Sequence, residues 1–290
     1  MAIVEDIPSI GTGPAPPAPA RAWLRRLGIA VPAALIVLIV LACFAGPLVL
    51  PIKPPTGGNI LEAGLPSFSP GHPLGTDPNG NDILSRILYG GRNSLIVAVS
   101  VNALGLVVGG LFGALSGYAG GASDTIIMRI FDIFIAFPSL VLIIAVAQSL
   151  GPSQTNTVLA LTFFSVPAVA RVARSATLTL CEQPFIAAAQ LCGTSRRRVL
   201  LRHIAPNIIP QLITFATLGM GLIIVLEGAL SFLGLGIPPP APSWGNMIAD
   251  GQASLSATPW LVLWPSAMLF LTVLAFNLLG DALRARWSSR

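Results

Sequence analysis

Long stretches without charge constrain this chain most. Residues 133–170 form a run of 38 positions without a charged side chain, and residues 27–50 form another of 24 positions. A membrane-spanning α-helix needs about 20 apolar residues, which is more than the core of a signal peptide. The 24-residue run follows Arg21, Arg25 and Arg26 and predicts an uncleaved first span. Only 9% of the chain is charged, against about 25% in soluble proteins, so the sequence predicts an all-α, polytopic membrane protein.

Six apolar segments are long enough to be transmembrane helices. The turn-forming cluster 151–156 divides the longest charge-free run in two. Spans are predicted at 27–50, 93–117, 128–150, 156–177, 211–235 and 259–281. The last five belong to a core of residues 93–282. The stretch 11–20, rich in Gly, Pro and Ala, predicts disorder within an N-terminal tail 1–26.

The basic residues predict the orientation, because cytoplasmic loops of membrane proteins accumulate Arg and Lys. Six spans with the N-terminus inside place four segments in the cytoplasm: 1–26, 118–127, 178–210 and 283–290. Thirteen basic residues then lie inside, at Arg21, Arg25, Arg26, Arg129, Arg171, Arg174, Arg196, Arg197, Arg198, Arg202, Arg284, Arg286 and Arg290. Only Lys53, Arg86 and Arg92 lie outside. The outer segment 51–92 ends in the octet 82–89, whose apolar spacing predicts a helix lying along the outer interface.

The sequence carries no motif of a catalytic or metal site. It has no GxxxxGK[ST] phosphate loop, no HExxH and no GxSxG. Cys43, Cys181 and Cys192 form no CxxC pattern, and His72 and His203 are predicted on opposite sides of the membrane. The basic charge follows from topology and does not require nucleic acid as a partner. We therefore expect neither an enzyme nor a metal or nucleic-acid site.

Glycines recur at every fourth position of the second span. They are Gly105, Gly109, Gly113 and Gly117, and Gly121 continues the series just beyond. This spacing places them on one helical face, where small residues let membrane helices approach closely. One interpretation is a tight helix–helix seam, and the other is a gating or substrate-facing surface. We favour the seam.

Two acidic residues fall inside or at the edge of predicted spans. A charged residue at the middle of the bilayer costs about 2.5–3.5 kcal/mol on insertion scales, so it is a candidate functional residue. Asp132 lies three residues after Arg129, and this spacing predicts a local ion pair with a structural role. Glu227 lies deeper, in the fifth span. It is a candidate either for the translocation path or for a bond to a neighbouring helix.

The polar segment between the fourth and fifth spans has the pattern of a docking element. Phe185 and Ile186 offer an apolar anchor beside three small residues that would fit a groove on another protein, Ala187, Ala188 and Ala189. Gly193 suits the left-handed conformation that ends a helix, and Ser195 suits the start of the next. Arg196, Arg197, Arg198 and Arg202 would pair with acidic groups of a partner or with anionic lipid. An ordinary positively charged inner loop is the alternative.

Five motifs together resemble permeases of dipeptide and oligopeptide ABC importers, of the second-subunit type. They are HPLGTDPNGNDILSR at 72–86, DIFIAFP at 132–138, EGALSFLGLG at 227–236, PSWGNM at 242–247 and AFNLLGDALR at 275–284. The segment from Phe185 to Gly193 resembles the coupling loop of these permeases. Two positions depart from the family pattern: Asn81 stands where Arg is usual, and Ala187 stands where Glu is usual.

The resemblance implies a type I ABC importer permease fold in the inner membrane of a bacterium. It implies a homologous second permease, two cytoplasmic ABC ATPases and an extracytoplasmic peptide-binding protein as partners, with this chain embedded in the lipid bilayer. ATP and Mg²⁺ would bind the ATPases, and this chain would hold no cofactor. The substrate stays open among dipeptides, oligopeptides, nickel chelates and glutathione. One alternative is a proton-coupled secondary transporter that uses Glu227 or Asp132. Many secondary transporters contain inverted repeats, and the sequence shows none. A second alternative is a scaffolding membrane protein, which would not need the permease motifs.

Overall fold

The computed structural model describes the backbone of residues 19–287 and the side chains of residues 27–286. The disorder predicted for residues 11–20 is wrong at residues 19 and 20, which begin α1, and its remainder lies outside the described part. The orientation of the tail and the last residues 288–290 also lie outside it. Twelve α-helices follow one another there. They are α1 (Pro19–Phe44), α2 (Gly46–Val49), α3 (Ile83–Leu104), α4 (Gly110–Ala119), α5 (Gly121–Ala136), α6 (Ser139–Leu150), α7 (Gln154–Cys181), α8 (Pro184–Leu191), α9 (Arg196–Val199), α10 (Ala205–Phe232), α11 (Trp244–Gln252) and α12 (Trp260–Trp287).

Two π-helical turns join neighbouring helices into longer ones. Gly105–Gly109 joins α3 to α4, and Leu200–Ile204 joins α9 to α10. The products, Ile83–Ala119 and Arg196–Phe232, are continuous helices of 37 residues each. Each is longer than the roughly 20 residues that a bilayer requires, so both extend beyond the apolar layer.

The structure confirms the predicted all-α architecture and provides up to six membrane crossings. Five helices are long and apolar enough to span, and α5 with α6 forms a sixth crossing that is bent by 89°. The span predicted at 128–150 therefore contains a sharp bend that the sequence analysis did not predict. The break falls at Phe137, whose backbone is extended (φ −83°, ψ 144°), because the ring of the following Pro138 disfavours helical geometry there.

Helix directions define two ends of the bundle. Gly105 lies against Ser165 and Gly117 against Thr177, so α3–α4 runs parallel to α7. We call the end that carries residues 119–124 and 178–204 the loop end. The opposite end carries residues 51–82 and 233–259, which we call the cap. Helix α1 runs towards the cap and α12 runs away from it, so both described termini lie at the loop end.

Three further boundaries differ from the predictions. The first span ends at Phe44 rather than residue 50, because the chain turns into the short helix α2. The octet 82–89 is not a separate interfacial helix: Asp82 caps α3 by accepting a 2.9 Å hydrogen bond from the Ser85 amide, and the octet forms the first two turns of that helix. Its apolar side chains Ile83 and Ile87 are buried against Met247 and Leu261 of the cap. The polar segment 178–210 is largely helical.

Two apolar clusters hold the bundle together. The larger one joins α1, α3, α6, α7 and α10 and includes Trp244 of the cap, which is fully buried. The Trp244 indole donates a 3.1 Å hydrogen bond to the Ile87 carbonyl, so α11 is fixed to the first turns of α3. The second cluster lies at the loop end and joins α7, α8, α9 and α10.

Candidate functional site

The glycine ladder lies in the contact between α3–α4 and α7. A Cβ atom at Gly109 would lie 2.5 Å from the Val166 carbonyl oxygen, and one at Gly113 would lie 2.2 Å from the Ala170 carbonyl oxygen. These distances are too short for any side chain, so the two backbones touch directly. Gly121 does not continue the ladder. It begins α5 with φ 57° and has no heavy atom within 4 Å of a Cβ position.

Helix α8 is a short, well-delimited helix at the loop end. Pro184 occupies its first turn, where a missing amide hydrogen costs nothing. Gly193 has φ 76°, and the Thr194 amide donates a 3.1 Å hydrogen bond back to the Ala189 carbonyl. This is the left-handed helix end that the sequence predicts at Gly193. Ser195 stands at the start of α9, but its side chain makes no capping bond.

One side of α8 belongs to the interior of this chain. Ile186 is 1% exposed and packs in the loop-end cluster with Val199, Ile204 and Ile208. The expectation that Ile186 offers apolar surface to a partner is therefore wrong. Its helical position points it inward, and burying it fixes α8 to the start of the long helix Arg196–Phe232.

The other side of α8 is open. Phe185 is 45% exposed and Leu191 is 89% exposed, with Ala187 and Ala188 exposed between them. Positions 185, 188 and 191 follow one another at three-residue spacing and share a face of the helix. Sequence reasoning missed Leu191, although this spacing was available as a signal. Ala189 is half-buried.

Four exposed arginines follow α8 in the chain at the loop end. They are Arg196, Arg197, Arg198 and Arg202. Together with α8 they form a surface that carries apolar groups and positive charge. Such a surface suits a partner with a groove lined by apolar side chains and acidic residues at its rim.

Ion pairs tie α5 to α7 at the same end. Arg174 makes a two-pronged contact with Asp124, from Nε to Oδ1 and from Nη2 to Oδ2, each at 2.5 Å. Arg171 Nη2 donates to Asp132 Oδ1 at 2.7 Å, whereas Arg129 Nη1 lies 3.7 Å from Asp132 Oδ2. The predicted pair within α5 exists, but the closer partner of Asp132 is on α7. Sequence spacing alone does not show partners on a neighbouring helix.

Glu227 is buried under the cap rather than beside an open cleft. It is 1% exposed, and its Oε1 accepts a 2.7 Å hydrogen bond from Ser231 Oγ. Ser231 Oγ in turn accepts a 3.3 Å hydrogen bond from the Ile237 amide. Glu227 thus connects α10 to the loop that follows it. The hydrogen bond between Glu227 and Ser231 lies within α10, so the bond to a neighbouring helix stays a prediction.

The cap contains a charged cleft that sequence reasoning did not identify as a site. Arg86 lies 3.1 Å from Asp77 and 3.4 Å from Asp250, and Asn81 donates a 2.9 Å hydrogen bond to Asp77. A cavity of about 610 Å³ opens beside them. Burial raises the pKa of Asp250, Arg86 lowers it and Asp77 raises it further, and the net pKa lies above its ordinary value. Asn81 also accepts a hydrogen bond from the Gly58 amide.

A second charged group lies on the other side of the α3 N-terminus. His72 is 1% exposed, with Nδ1 2.9 Å from Asp82 and Nε2 3.2 Å from Glu62. Lys53 Nζ lies 3.1 Å from Glu62. Hydrogen bonds from Lys53 and then His72 hold the pKa of Glu62 below its ordinary value. These residues hold together the part of the cap between α2 and α3 and, through Asp82, fix it to the start of α3.

A large open cleft lies along α10. Its volume is about 970 Å³, and residues of α7, α10 and α12 line it. Asn207, Gln211 and Thr214 supply polar groups at helical spacing, and Phe215 and Leu218 supply apolar ones. Glu227 does not line this cleft.

Up to six apolar crossings, a glycine seam and an exposed short helix before α10 define a polytopic membrane protein. A family model described as "binding-protein-dependent transport system inner membrane component" matches residues 109–290. The chain belongs to this family.

Relatives cover most of the chain. The glutathione transport system permease protein GsiD of Pectobacterium atrosepticum is 43% identical over 74% of this chain and 72% of its own length. The dipeptide transport system permease protein DppC of Alkalihalophilus pseudofirmus is 43% identical over 73% and 70%. GsiD of an Escherichia coli strain is 42% identical over 90% of this chain and 86% of its own length.

A solved structure shows the same fold. It is a chain of the methionine ABC transporter MetNI in an inward-facing conformation, with a TM-score of 0.55 and 18% identity over 69% of this chain and 95% of that one. The predicted ABC importer permease fold is confirmed.

Proposed function

We propose that this chain is a permease subunit of an ATP-driven importer of short peptides. It pairs with a homologous second permease to form the translocation path, two cytoplasmic ATPases bind ATP and Mg²⁺, and an extracytoplasmic binding protein delivers the peptide at the cap. Its relatives are named glutathione and dipeptide permeases; both substrates are short peptides, which supports this substrate class.

One observation carries the proposal. Helix α8 exposes Phe185 and Leu191 on one side and is fixed by Ile186 on the other. A movement of α8 would therefore be transmitted through Ile186 to Ile204 and Ile208. These two residues lie near the start of the long helix Arg196–Phe232, part of which lines the open cleft. The exposed surface of α8 docks an ATPase, and the buried side transmits its motion to the path.

The proton-coupled alternative gains no support from the described residues. Glu227 is buried and bonded to Ser231, and Asp132 is held by two arginines. Replacement of Glu227 by Gln keeps a hydrogen-bonding group of nearly the same size, so transport should continue. Loss of transport with intact stimulation of the ATPases and a strict dependence on pH would favour the alternative.

A matched pair of variants tests the docking surface. Ala188 and Ala122 are both exposed alanines at the loop end, on α8 and on the first turn of α5. Ala188→Arg should abolish retention of the ATPases during purification, because it places a bulky charge in an apolar contact. Ala122→Arg should retain them, and both variants should insert normally. If Ala188→Arg retains its ATPases and transports at the wild-type rate, α8 is not the docking helix.

A further inference from the structure

The ion pairs between α5 and α7 surround a cleft that the proposed transport mechanism does not use. Its volume is about 460 Å³, and five charged side chains line it: Asp124, Arg129, Asp132, Arg171 and Arg174. Three cations face two anions, so the cleft carries one excess positive charge. A monovalent anion would balance it.

The excess charge lies at one end of the cleft. Asp124 is satisfied by Arg174 in a two-pronged contact, and this pair is partly buried. Arg129 and Arg171 share the single carboxylate of Asp132. Arg129 is 78% exposed at its side chain and, at 3.7 Å, is beyond hydrogen-bond distance of Asp132. Among the described residues its guanidinium therefore has no hydrogen-bond acceptor, and its five donors are available to a ligand.

The surroundings of the cleft match the head-group region of a bilayer. Asp124 and Asp132 are eight residues apart on α5, about 12 Å along the helix, and the helix begins at the loop end. The adjoining face of α5 exposes Ile126, Ile130 and Ile133 at 60%, 49% and 61%. The apolar stripe thus runs beside the charged cleft on the same helix, and Ile133 extends it one residue past Asp132.

We propose that this cleft binds the phosphodiester head group of an anionic phospholipid, with Arg129 and Arg171 as the phosphate ligands and an acyl chain along the isoleucine stripe. A phosphodiester carries one negative charge, which equals the excess in the cleft. Planar guanidinium groups match its paired oxygens, and basic pockets between membrane helices on the cytoplasmic side hold such head groups. The choice of the inner leaflet rests on the proposed orientation, whereas the cleft and its charge do not.

Lipid retention by the assembled importer tests the proposal. The complex is purified in mild detergent, mixed with equal amounts of phosphatidylglycerol and phosphatidylcholine, and weighed by native mass spectrometry. Phosphatidylglycerol should be retained preferentially. Arg129→Gln should reduce this retention about fivefold, since one basic residue near a lipid surface contributes about 1 kcal/mol. Arg129→Lys keeps the charge but loses the planar pair of donors, so its retention should lie between that of the wild type and that of Arg129→Gln.

Arg92→Gln is the control, because Arg92 is exposed at the cap end and lies outside both the cleft and the α8 surface. It should retain phosphatidylglycerol as the wild type does. Equal retention of the two lipids, or equal losses in Arg129→Gln and Arg92→Gln, would overturn the proposal. Displacement of the lipid by millimolar inorganic phosphate would also overturn it, since the site would then be a simple anion site. Retention of the ATPases is scored in the same spectra, so a failure of the proposed function would be seen separately.

Discussion

Single glycines at the seam show how strictly one residue can control the packing of two helices. At Gly113 even a methyl group would overlap the Ala170 carbonyl and lie 2.7 Å from Ala173 Cβ. Gly110, three residues earlier, faces elsewhere, and a Cβ there would meet only the end of Leu212 at 3.4 Å. We expect Gly113→Ala to lower the free energy of unfolding by about 1–3 kcal/mol through overpacking.

Gly110→Ala is the control, and it should be neutral or slightly stabilising because alanine favours helix. Apparent melting temperatures of the two purified variants in the same detergent measure the difference. Equal melting temperatures would show that α4 and α7 do not touch at Gly113.

Two carboxylates of the cap predict pH effects of opposite sign. The pKa of Asp250 is raised by burial above 3.8, so the folded chain holds this proton more tightly than the unfolded chain does. Stability is then lost as pH rises from about 3.8 through the raised pKa. Asp250→Asn removes the ionised form and should melt higher than the wild type at neutral pH, with no difference at about pH 3.5.

Glu62 behaves in the opposite way. Its pKa is lowered below 4.5 by hydrogen bonds from Lys53 and His72, so its contribution is present above pH 4.5 and is lost as pH falls through the lowered pKa. Glu62→Gln should therefore melt lower than the wild type at neutral pH and converge with it in acid. Melting curves across this pH range, with both variants in parallel, measure the two trends. The same sign for both would contradict the described environments.

At the scale of elements, α8 combines two roles that mutations can separate. Ile186→Ala opens a cavity in the loop-end cluster, so it should destabilise the permease by about 2–5 kcal/mol. Phe185→Ala removes an exposed anchor, so it should leave the melting temperature nearly unchanged and weaken ATPase binding by about 2 kcal/mol. Melting curves of the isolated permease and affinities for the ATPases measure the two effects. A large loss of stability in Phe185→Ala would mean that its side chain packs inside the chain.

The positions of the membrane-spanning helices were predictable from the sequence, but the contacts between helices were not. Hydropathy places all six crossings because the bilayer sets a minimum apolar length, and the spacing of Gly109 and Gly113 indicates a close approach without naming its partner. The bend at Phe137–Pro138 was missed because apolar composition continues through it. The burial of Ile186 and the pairing of Asp132 with Arg171 depend on neighbouring helices, which no local pattern specifies.

The whole molecule separates its basic residues between its two ends. Among the described side chains, the loop end carries nine arginines, namely Arg129, Arg171, Arg174, Arg196, Arg197, Arg198, Arg202, Arg284 and Arg286, and the cap end carries Lys53, Arg86 and Arg92. An even number of crossings places both described termini at the same end, and the helix directions show them at the loop end. The arginine count is an independent observation, and it predicts that this end faces the cytoplasm. The contact of Arg86 with Asp250 lay beyond sequence reasoning, because it joins residues 164 positions apart.

The orientation of the whole chain can be tested on a native cysteine. Cys192 is exposed at the loop end, whereas Cys43 is buried and Cys181 is partly buried. If the loop end faces the cytoplasm, as the arginine bias predicts, a membrane-impermeant maleimide should not label Cys192 in intact cells and should label it after lysis. Cys192→Ser gives the background from the other two cysteines. A cysteine placed at Ser67, in the cap, should label in intact cells in that background. Labelling of Cys192 in intact cells would reverse the orientation and with it the assignment of α8 to a cytoplasmic ATPase.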